Sequence, residues 1–169
     1  IEEFREDGFS NELTRKELES KALKMAGWMK SKGVKKGDRV CAYMPNCSET
    51  VISMLATSAL GAIFSSCSSD FGIEGVIDRF EQIEPKVMIA ANGYLYNGKV
   101  IDRSEEIKTI SKRLSSLEHT IVVEYINSTR GINNFQKFNT VFQSDILEEY
   151  VLCEFNDPLY IVFSSGTTG

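Results

Sequence analysis

Apolar residues follow two spacings that alternate along the chain. Side chains at helical spacing predict helices, which lie between Thr14 and Gly33, between Asn46 and Ala62, between Ile73 and Pro85, and over residues 103–116. Short apolar runs between them predict strands at residues 39–44, 63–66, 86–91, 120–123 and 159–163. Strands that alternate with helices form βαβ units. The pattern therefore predicts an α/β fold with a doubly wound, mainly parallel sheet.

The first two predicted helices carry signals for their first turn. Thr14 and Glu17 have the spacing of a capping box, and Asn46 and Glu49 repeat that spacing before the second helix. In the second helix, helical spacing predicts an apolar inner face, made of Val51, Met54, Leu55, Ala59 and Ala62. Ile52, Ala56 and Leu60 extend this apolar arc, which predicts a helix that is covered on more than one side.

Three stretches have weaker patterns. Asp7-Gly8 between two phenylalanines predicts a hairpin over residues 1–12. Residues 127–140 are polar and rich in Asn and Gly, which is typical of a surface loop, and residues 142–151 predict a short helix.

Composition and charge exclude some classes of function. The chain has 169 residues and a net charge of −5, with 24 acidic and 19 basic residues. A nucleic-acid-binding protein would need a clustered basic face, so we expect no nucleic-acid partner. The longest nearly apolar run, Val51–Phe64, is shorter than a membrane span requires, so we expect no transmembrane segment. The charged first residues show no signal-peptide core.

The four cysteines have irregular spacing, at Cys41, Cys47, Cys67 and Cys153. No pair is spaced as Cys-x-x-Cys, and the single His119 offers no companion for a zinc site. Cys41 and Cys67 lie in or beside apolar runs, where buried free thiols are usual. We therefore predict four free thiols, no bound structural metal, and a location in the cytosol.

The last predicted strand leads into small polar residues, Ser164-Ser165-Gly166-Thr167-Thr168-Gly169. Two glycines allow backbone N–H groups to converge, and four hydroxyl groups add donors for phosphate oxygens. Residues 164–169 are therefore a candidate loop for the phosphates of a nucleotide. The stretch is not a Walker A loop, since no G-x-x-x-x-G-K-[ST] motif occurs. A flexible Ser/Gly/Thr terminus is the alternative interpretation of the same residues.

The final stretch closely resembles the phosphate-binding loop of the adenylate-forming enzymes, which include the acyl-CoA synthetases. Upstream motifs occur in the order seen in that family, namely Leu13-Thr14-x-x-Glu17-Leu18, Gly33-Val34-x-Lys36-Gly37-Asp38-Arg39-Val40, Met44-Pro45-Asn46 and Leu60-Gly61-Ala62. The resemblance implies that residues 1–169 are part of an N-terminal AMP-binding domain. It also implies that the chain is a piece of a longer protein and is inactive by itself.

Within this family, the acetoacetyl-CoA synthetases are the most similar subset. The similarity lies in the stretch Gly61–Gly72, in Val76–Lys86 and in Tyr94–Lys99. Relatives that act on acetate or propionate carry two cations near the position of Tyr96–Lys99, and here only Lys99 remains. The resemblance makes Lys99 a candidate for coenzyme A binding, although a solvated loop lysine is an equal alternative.

The resemblance implies ATP-dependent activation of acetoacetate through an acyl-adenylate, followed by transfer to coenzyme A. ATP, Mg²⁺ and coenzyme A are then the expected ligands, and Ser164–Gly169 would hold the phosphates of ATP. The catalytic and magnesium-binding residues of the family lie downstream of Gly169. Two alternatives stay open: a synthetase for another short- or medium-chain acid, and a non-catalytic nucleotide-binding module.

Overall fold

The computed structural model describes residues 1–128 and 131–164. Its helices are α1 (Arg15–Ser31), α2 (Ser48–Ala59), α3 (Ile73–Ile83) and α4 (Ser104–Arg113). Its strands are β1 (Glu2–Phe4), β2 (Ser10–Glu12), β3 (Arg39–Tyr43), β4 (Ile63–Cys67), β5 (Val87–Ala91), β6 (Gly93–Tyr96), β7 (Lys99–Asp102), β8 (His119–Val123), β9 (Gln136–Lys137) and β10 (Tyr160–Ile161).

Within the described residues, six strands form one sheet in the order β10-β4-β3-β5-β8-β9. Every neighbouring pair in it is parallel. The two other sheets are antiparallel hairpins, one of β1 and β2 and one of β6 and β7. The predicted α/β fold with a parallel sheet is confirmed.

Alternate residues of the central strands point to opposite faces of the sheet. Val40 and Ala42 pack in one buried cluster with α1 and α2, while Cys41 and Tyr43 pack in a second cluster with α3 and α4. Because both faces are covered, the four residues of β3 after Arg39 are all buried and do not alternate with exposed polar residues. The sheet is therefore doubly wound, as the sequence predicts.

The first helix begins as the sequence predicts, and the second does not. The Thr14 hydroxyl accepts from the backbone N–H of Glu17, whose carboxylate accepts from the N–H of Thr14. The N-cap residue of α2 is Cys47, and its side chain makes no capping hydrogen bond. The predicted capping box of Asn46 and Glu49 is wrong, because the start of α2 receives a carboxylate from the distant strand β1. The backbone N–H of Ser48 donates to the Glu3 carboxylate over 3.0 Å.

The buried face of α2 agrees with the prediction in part. Ile52, Ala56 and Ala59 are buried as predicted, whereas Leu55 is exposed and Val51 and Met54 are half-buried. Two small hydroxyl residues, Ser53 and Thr57, complete the buried face, where they donate to backbone carbonyls one turn earlier. The prediction missed these two because it counted only apolar residues, while hydroxyl groups that bond to their own helix can be buried in it.

Residues 131–159 differ from the loop and the helix that the sequence predicts for them. The predicted surface loop at 127–140 includes the buried side chains Ile132 and Phe138, and its Gln136–Lys137 segment extends the sheet as β9. The predicted helix at 142–151 is wrong, since a 3-10 helix covers Phe138–Gln143 and an irregular segment follows. We call this segment, residues 144–153, the strap, because it crosses α1 and the end of α2.

The final strand is shorter and more exposed than predicted. Pairing with β4 covers only Tyr160 and Ile161, and Val162 is 77% exposed. The predicted buried strand at 159–163 is corrected to a two-residue strand at the edge of the described sheet. An apolar run alone does not separate an edge strand from a buried one.

All four cysteines are free thiols, as predicted. Cys41, Cys47 and Cys67 are buried and Cys153 is exposed. Burial raises the pKa of Cys47 to about 12 and that of Cys67 to about 11, and it raises the pKa of Cys41 well above its ordinary value. Since the thiolate is the reactive form, these three should be inert in the folded protein.

We therefore expect one fast-reacting thiol in the native chain and four after denaturation. Ellman's reagent, added with and without guanidinium chloride, measures both counts. Cys153→Ser should remove the native reaction and leave three thiols in denaturant. Two or more fast thiols in the native protein would contradict the burial of the other cysteines.

Candidate functional site at the carboxyl edge of the sheet

The direction in which successive strands are added to the sheet reverses at β4, although all of these strands are parallel. After β3 the chain passes through α2 to β4, and after β4 it returns through α3 to β5 on the other side of β3. Since α2 and α3 lie on opposite faces, the loops after β3 and β4 diverge. Open α/β sheets bind ligands in the crevice that such a divergence leaves at the carboxyl ends of the strands.

The candidate phosphate loop leaves from this same edge. Its first residue, Ser164, is exposed and is separated from the end of β10 by two residues. Residues 165–169, and with them the predicted contacts of Ser165, Gly166, Thr167, Thr168 and Gly169, lie outside the described residues. Ser164 itself lies beyond the carboxyl end of a parallel strand, the edge at which open α/β sheets bind ligands.

An arginine lies between the start of this loop and the neighbouring loop. The Arg79 guanidinium carbon is 4.6 Å from the centre of the Phe71 ring and 6.0 Å from that of Phe163. Arg79 also donates to the carbonyl of Gly75 over 2.7 Å, within α3. Stacking of a guanidinium on aromatic faces is favourable, so Arg79 helps to fix Phe163 beside the loop at residues 68–72.

Lys99 lies at the tip of the β6–β7 hairpin, which follows β5. It is exposed and opposite Tyr96, across a turn in which Asn97 and Gly98 have positive φ. The carboxyl ends of β5 and β10 are three strand spacings apart, which corresponds to about 14 Å. Lys99 and Ser164 therefore follow strands of the same sheet that are not adjacent.

The side chains of Tyr43 and Arg103 bond to backbone carbonyls of the loop at residues 68–72. The Tyr43 hydroxyl, at the end of β3, lies 2.7 Å from the Phe71 carbonyl and 3.0 Å from that of Ser69. Arg103 donates to the same Ser69 carbonyl over 3.1 Å. Burial raises the pKa of Tyr43 to about 12, so its hydroxyl keeps its proton at neutral pH and serves as a donor.

The described residues contain neither a cluster of metal ligands nor a membrane-spanning helix. In the part of the chain that the structure describes, no group of three or more His, Cys, Asp or Glu side chains is placed to bind a metal ion. Over the same residues, no helix has both the length and the apolar character needed to cross a membrane.

Comparison with known proteins identifies the family. The family model described as "AMP-binding enzyme" matches residues 4–169, which is nearly the whole chain. The chain belongs to the AMP-binding enzyme family. The resemblance that the sequence motifs indicate is confirmed.

Two relatives of this chain have names that agree with each other. The chain is 40% identical over 167 residues to an acetoacetyl-CoA synthetase of Macaca fascicularis and 41% identical over 171 residues to an acetoacetyl-coenzyme A synthetase of Rhizobium meliloti. The matches cover 93% and 97% of this chain but 25% and 26% of those proteins. The chain thus spans about a quarter of the length of these relatives.

A solved structure has the same fold. The acetoacetyl-CoA synthetase from Streptomyces lividans superposes with a TM-score of 0.86 at 34% identity, over 95% of this chain and 25% of that one. The sheet and helices described above are therefore similar to those of an acyl-CoA synthetase.

Sequence reasoning missed Tyr43, Arg79 and Arg103 at this edge of the AMP-binding fold. Each has a signal that was available: Tyr43 is the last residue of a buried parallel strand, where a hydroxyl group reaches the ligand edge. Arg79 and Arg103 lie within or beside helices that follow such strands. The sequence could not show that Tyr43 and Arg103 bond to backbone carbonyls of the loop at residues 68–72, or that Arg79 stacks on Phe71 and Phe163.

Proposed function

We propose that residues 1–169 form the N-terminal part of the AMP-binding domain of an acetoacetyl-CoA synthetase, an acid–thiol ligase. The observation that carries the proposal is the identity of about 40% to proteins of that name, over more than nine-tenths of this chain. The proposed substrates are acetoacetate, MgATP and coenzyme A. Residues 1–12 would be a hairpin that leads into the domain, and residues 164–169 its phosphate loop.

The proposed reaction has two steps. A carboxylate oxygen of acetoacetate attacks the α-phosphorus of ATP, and the bond to the bridging oxygen breaks to release pyrophosphate. The thiol sulfur of coenzyme A, having lost its proton, then attacks the acyl carbon and AMP leaves. Such phosphoryl chemistry needs positioned hydrogen-bond donors more than a covalent nucleophile. Ser164–Gly169 would supply those donors to the β- and γ-phosphates of ATP.

Exchange of labelled pyrophosphate into ATP, measured on the complete gene product, tests the first step. We expect exchange that depends on acetoacetate and is faster with acetoacetate than with acetate or butyrate. A preference for butyrate or acetate would keep the chemistry but contradict the proposed substrate. Absence of exchange with all three acids would contradict a synthetase function.

Variants in the phosphate loop connect the exchange to these residues. Thr167→Val nearly keeps the shape and removes one hydroxyl donor, so it should slow exchange about ten-fold, the value of one hydrogen bond to a charged group. Thr109→Val is a matched control, because its exposed hydroxyl donates to the Glu105 carbonyl within α4 and is not part of the phosphate loop. Equal exchange rates in the wild type and in Thr167→Val would contradict the role of the loop.

Lys99 is proposed to bind a phosphate group of coenzyme A. In the complete gene product, Lys99→Ala should raise the KM for coenzyme A about ten-fold, since a hydrogen bond to a charged group is worth about 1.5 kcal/mol. The KM for ATP should stay unchanged. Lys112→Ala, an exposed lysine in the last turn of α4, is the control. A rise in the KM for ATP instead would contradict this assignment.

We also place the protein in the cytosol. The support is chemical: all four cysteines are free thiols, as is usual in a reducing compartment. Fluorescence microscopy of the complete gene product, tagged at its carboxyl terminus, would test this location.

A further inference from the structure

Two segments flank the end of β3 at the candidate site. The loop at residues 68–72 follows β4, and the hairpin at residues 93–102 follows β5, and β3 lies between those strands. The hairpin carries Lys99, the proposed contact for coenzyme A. The contacts between the loop and the hairpin therefore affect the position of Lys99.

Arg103 contacts both segments at once. Its Nε donates to the Ser69 carbonyl over 3.1 Å, while Nη2 lies 3.4 Å from the Tyr94 hydroxyl of the hairpin. The guanidinium carbon is also 5.4 Å from the centre of the Tyr94 ring. One planar cation thus links the loop after β4 to the hairpin after β5.

The orientation of the Arg103 side chain is fixed by α4 and by its own backbone. Nη1 donates to the Glu106 carboxylate over 2.7 Å, in a pair whose side chains are 17% and 26% exposed. The backbone N–H of Arg103 donates to the Asn92 carbonyl, at the base of the hairpin, over 2.8 Å. The side-chain nitrogens Nε, Nη1 and Nη2 therefore have three different partners. A lysine ammonium on a flexible chain cannot reproduce these contacts in the same geometry.

Tyr43, on strand β3, bonds to the same loop as Arg103 does. It is fully buried, and its hydroxyl reaches the carbonyls of Ser69 and Phe71. Ser69 is thus held at one carbonyl by two side chains, one from β3 and one from the start of α4. Backbone carbonyls held in this way give the loop one conformation.

We propose that Arg103 is a positioning residue that locks the loop at residues 68–72 to the hairpin at residues 93–102, and that this lock sets the affinity for coenzyme A. The proposal rests on the proposed function for its ligand. Binding to a preformed surface avoids the cost of ordering two loops when the ligand arrives. Adenylate formation requires no coenzyme A, so the lock should affect it much less than thioester formation.

The test compares the two half-reactions in the complete gene product carrying Arg103→Lys. This variant keeps the charge and loses the planar fork. We expect the KM for coenzyme A to rise about ten-fold in thioester formation, the loss of one charged hydrogen bond, with acetoacetate-dependent pyrophosphate exchange within two-fold of the wild type. Arg113→Lys is the matched control, because Arg113 lies on the same helix in an exposed pair with Glu74. It should change neither value.

A second variant separates positioning from general destabilisation. Tyr43→Phe keeps the ring and removes the hydroxyl, so it should also raise the KM for coenzyme A, and the double variant should show less than the product of the two effects. A rise in the KM for ATP equal to that for coenzyme A would overturn the proposal, because a merely structural role affects both half-reactions.

Hydrogen exchange tests the lock without any substrate. In Arg103→Lys, amide exchange should become faster in both the loop at 68–72 and the hairpin at 93–102, with β3 and β5 unchanged. Unchanged exchange in both segments would overturn the lock itself. If the wild type forms no thioester with coenzyme A, the proposed function and the affinity claim fail together, and the exchange result still decides whether Arg103 joins the segments.

Discussion

Replacing Glu3 with glutamine should lower the free energy of unfolding of the chain by about 2 kcal/mol at pH 7, although the two side chains have nearly the same shape. Glu3 is only 6% exposed, and it is bonded to Arg5 over 2.7 Å and to the first backbone N–H of α2. A glutamine can still accept from that N–H but carries no charge for Arg5 or for the start of the helix. Urea denaturation of the wild type and the variant measures the difference.

The size of the effect follows from what Arg5 would lose. Its guanidinium lies 4.1 Å from the centre of the Phe9 ring and 3.8 Å from that of Tyr125, with its side chain only 10% exposed. In the variant this cation stays largely buried without its carboxylate partner, which is the costly case. Glu2→Gln, at the exposed neighbouring position of β1, should change stability by no more than about 0.5 kcal/mol.

The Glu3 prediction has a definite pH dependence. Burial by itself would raise the pKa of Glu3, but hydrogen bonds from Arg5 and Ser48 outweigh it and leave the pKa below its ordinary value of 4.5. A lowered pKa in the folded state stabilises the protein above pH 4.5, and this contribution is lost as the pH falls through the lowered value. The difference between wild type and Glu3→Gln should therefore be full at pH 7 and should shrink below pH 4.5. A difference that grows on acidification would contradict this account.

Gly27→Ala should destabilise the chain by about 2 kcal/mol, although alanine usually stabilises a helix by up to about 1 kcal/mol relative to glycine. Any β-carbon at Gly27 would meet the backbone carbonyl of Asp145 in the strap at an impossibly short distance. The strap must then move, which breaks the bond from Leu147 N–H to the Leu23 carbonyl and exposes the Leu147 side chain. Thermal and urea denaturation measure the loss.

A double-variant cycle shows whether displacement of the strap is the cause. Leu147→Ala should destabilise the wild type, and it should cost much less in the Gly27→Ala background, where that side chain has already left its site. Lys16→Ala, an exposed substitution in the first turn of α1, serves as the control for helix propensity. Additive effects of Gly27→Ala and Leu147→Ala would contradict a common cause.

Both predictions depend on contacts between residues far apart in the chain, and those contacts explain where sequence reasoning failed. The Asn46–Glu49 pair has a valid capping pattern, yet α2 begins at Ser48 and receives the Glu3 carboxylate from 45 positions upstream. Residues 142–151 have a weak helical pattern, yet the strap is irregular where it passes Gly27. A local pattern cannot register a partner that only the folded chain brings near.

The sequence by itself determined the α/β class, the order of the four helices and of strands β3, β4, β5, β8 and β10, the first capping box and the free thiols, whereas the β6–β7 hairpin and β9 were not predicted. These features depend on spacing within one element or on neighbours a few residues apart, so the pattern contains them. Family motifs added the candidate phosphate loop at 164–169 and the candidate Lys99. Only the tertiary structure decided that Tyr43 and Arg103 meet at the Ser69 carbonyl, from 26 and 34 positions away. The physical reason is that parallel strands and their crossovers place distant residues at one edge of the sheet, and which side chain then reaches which carbonyl depends on packing that no local spacing encodes.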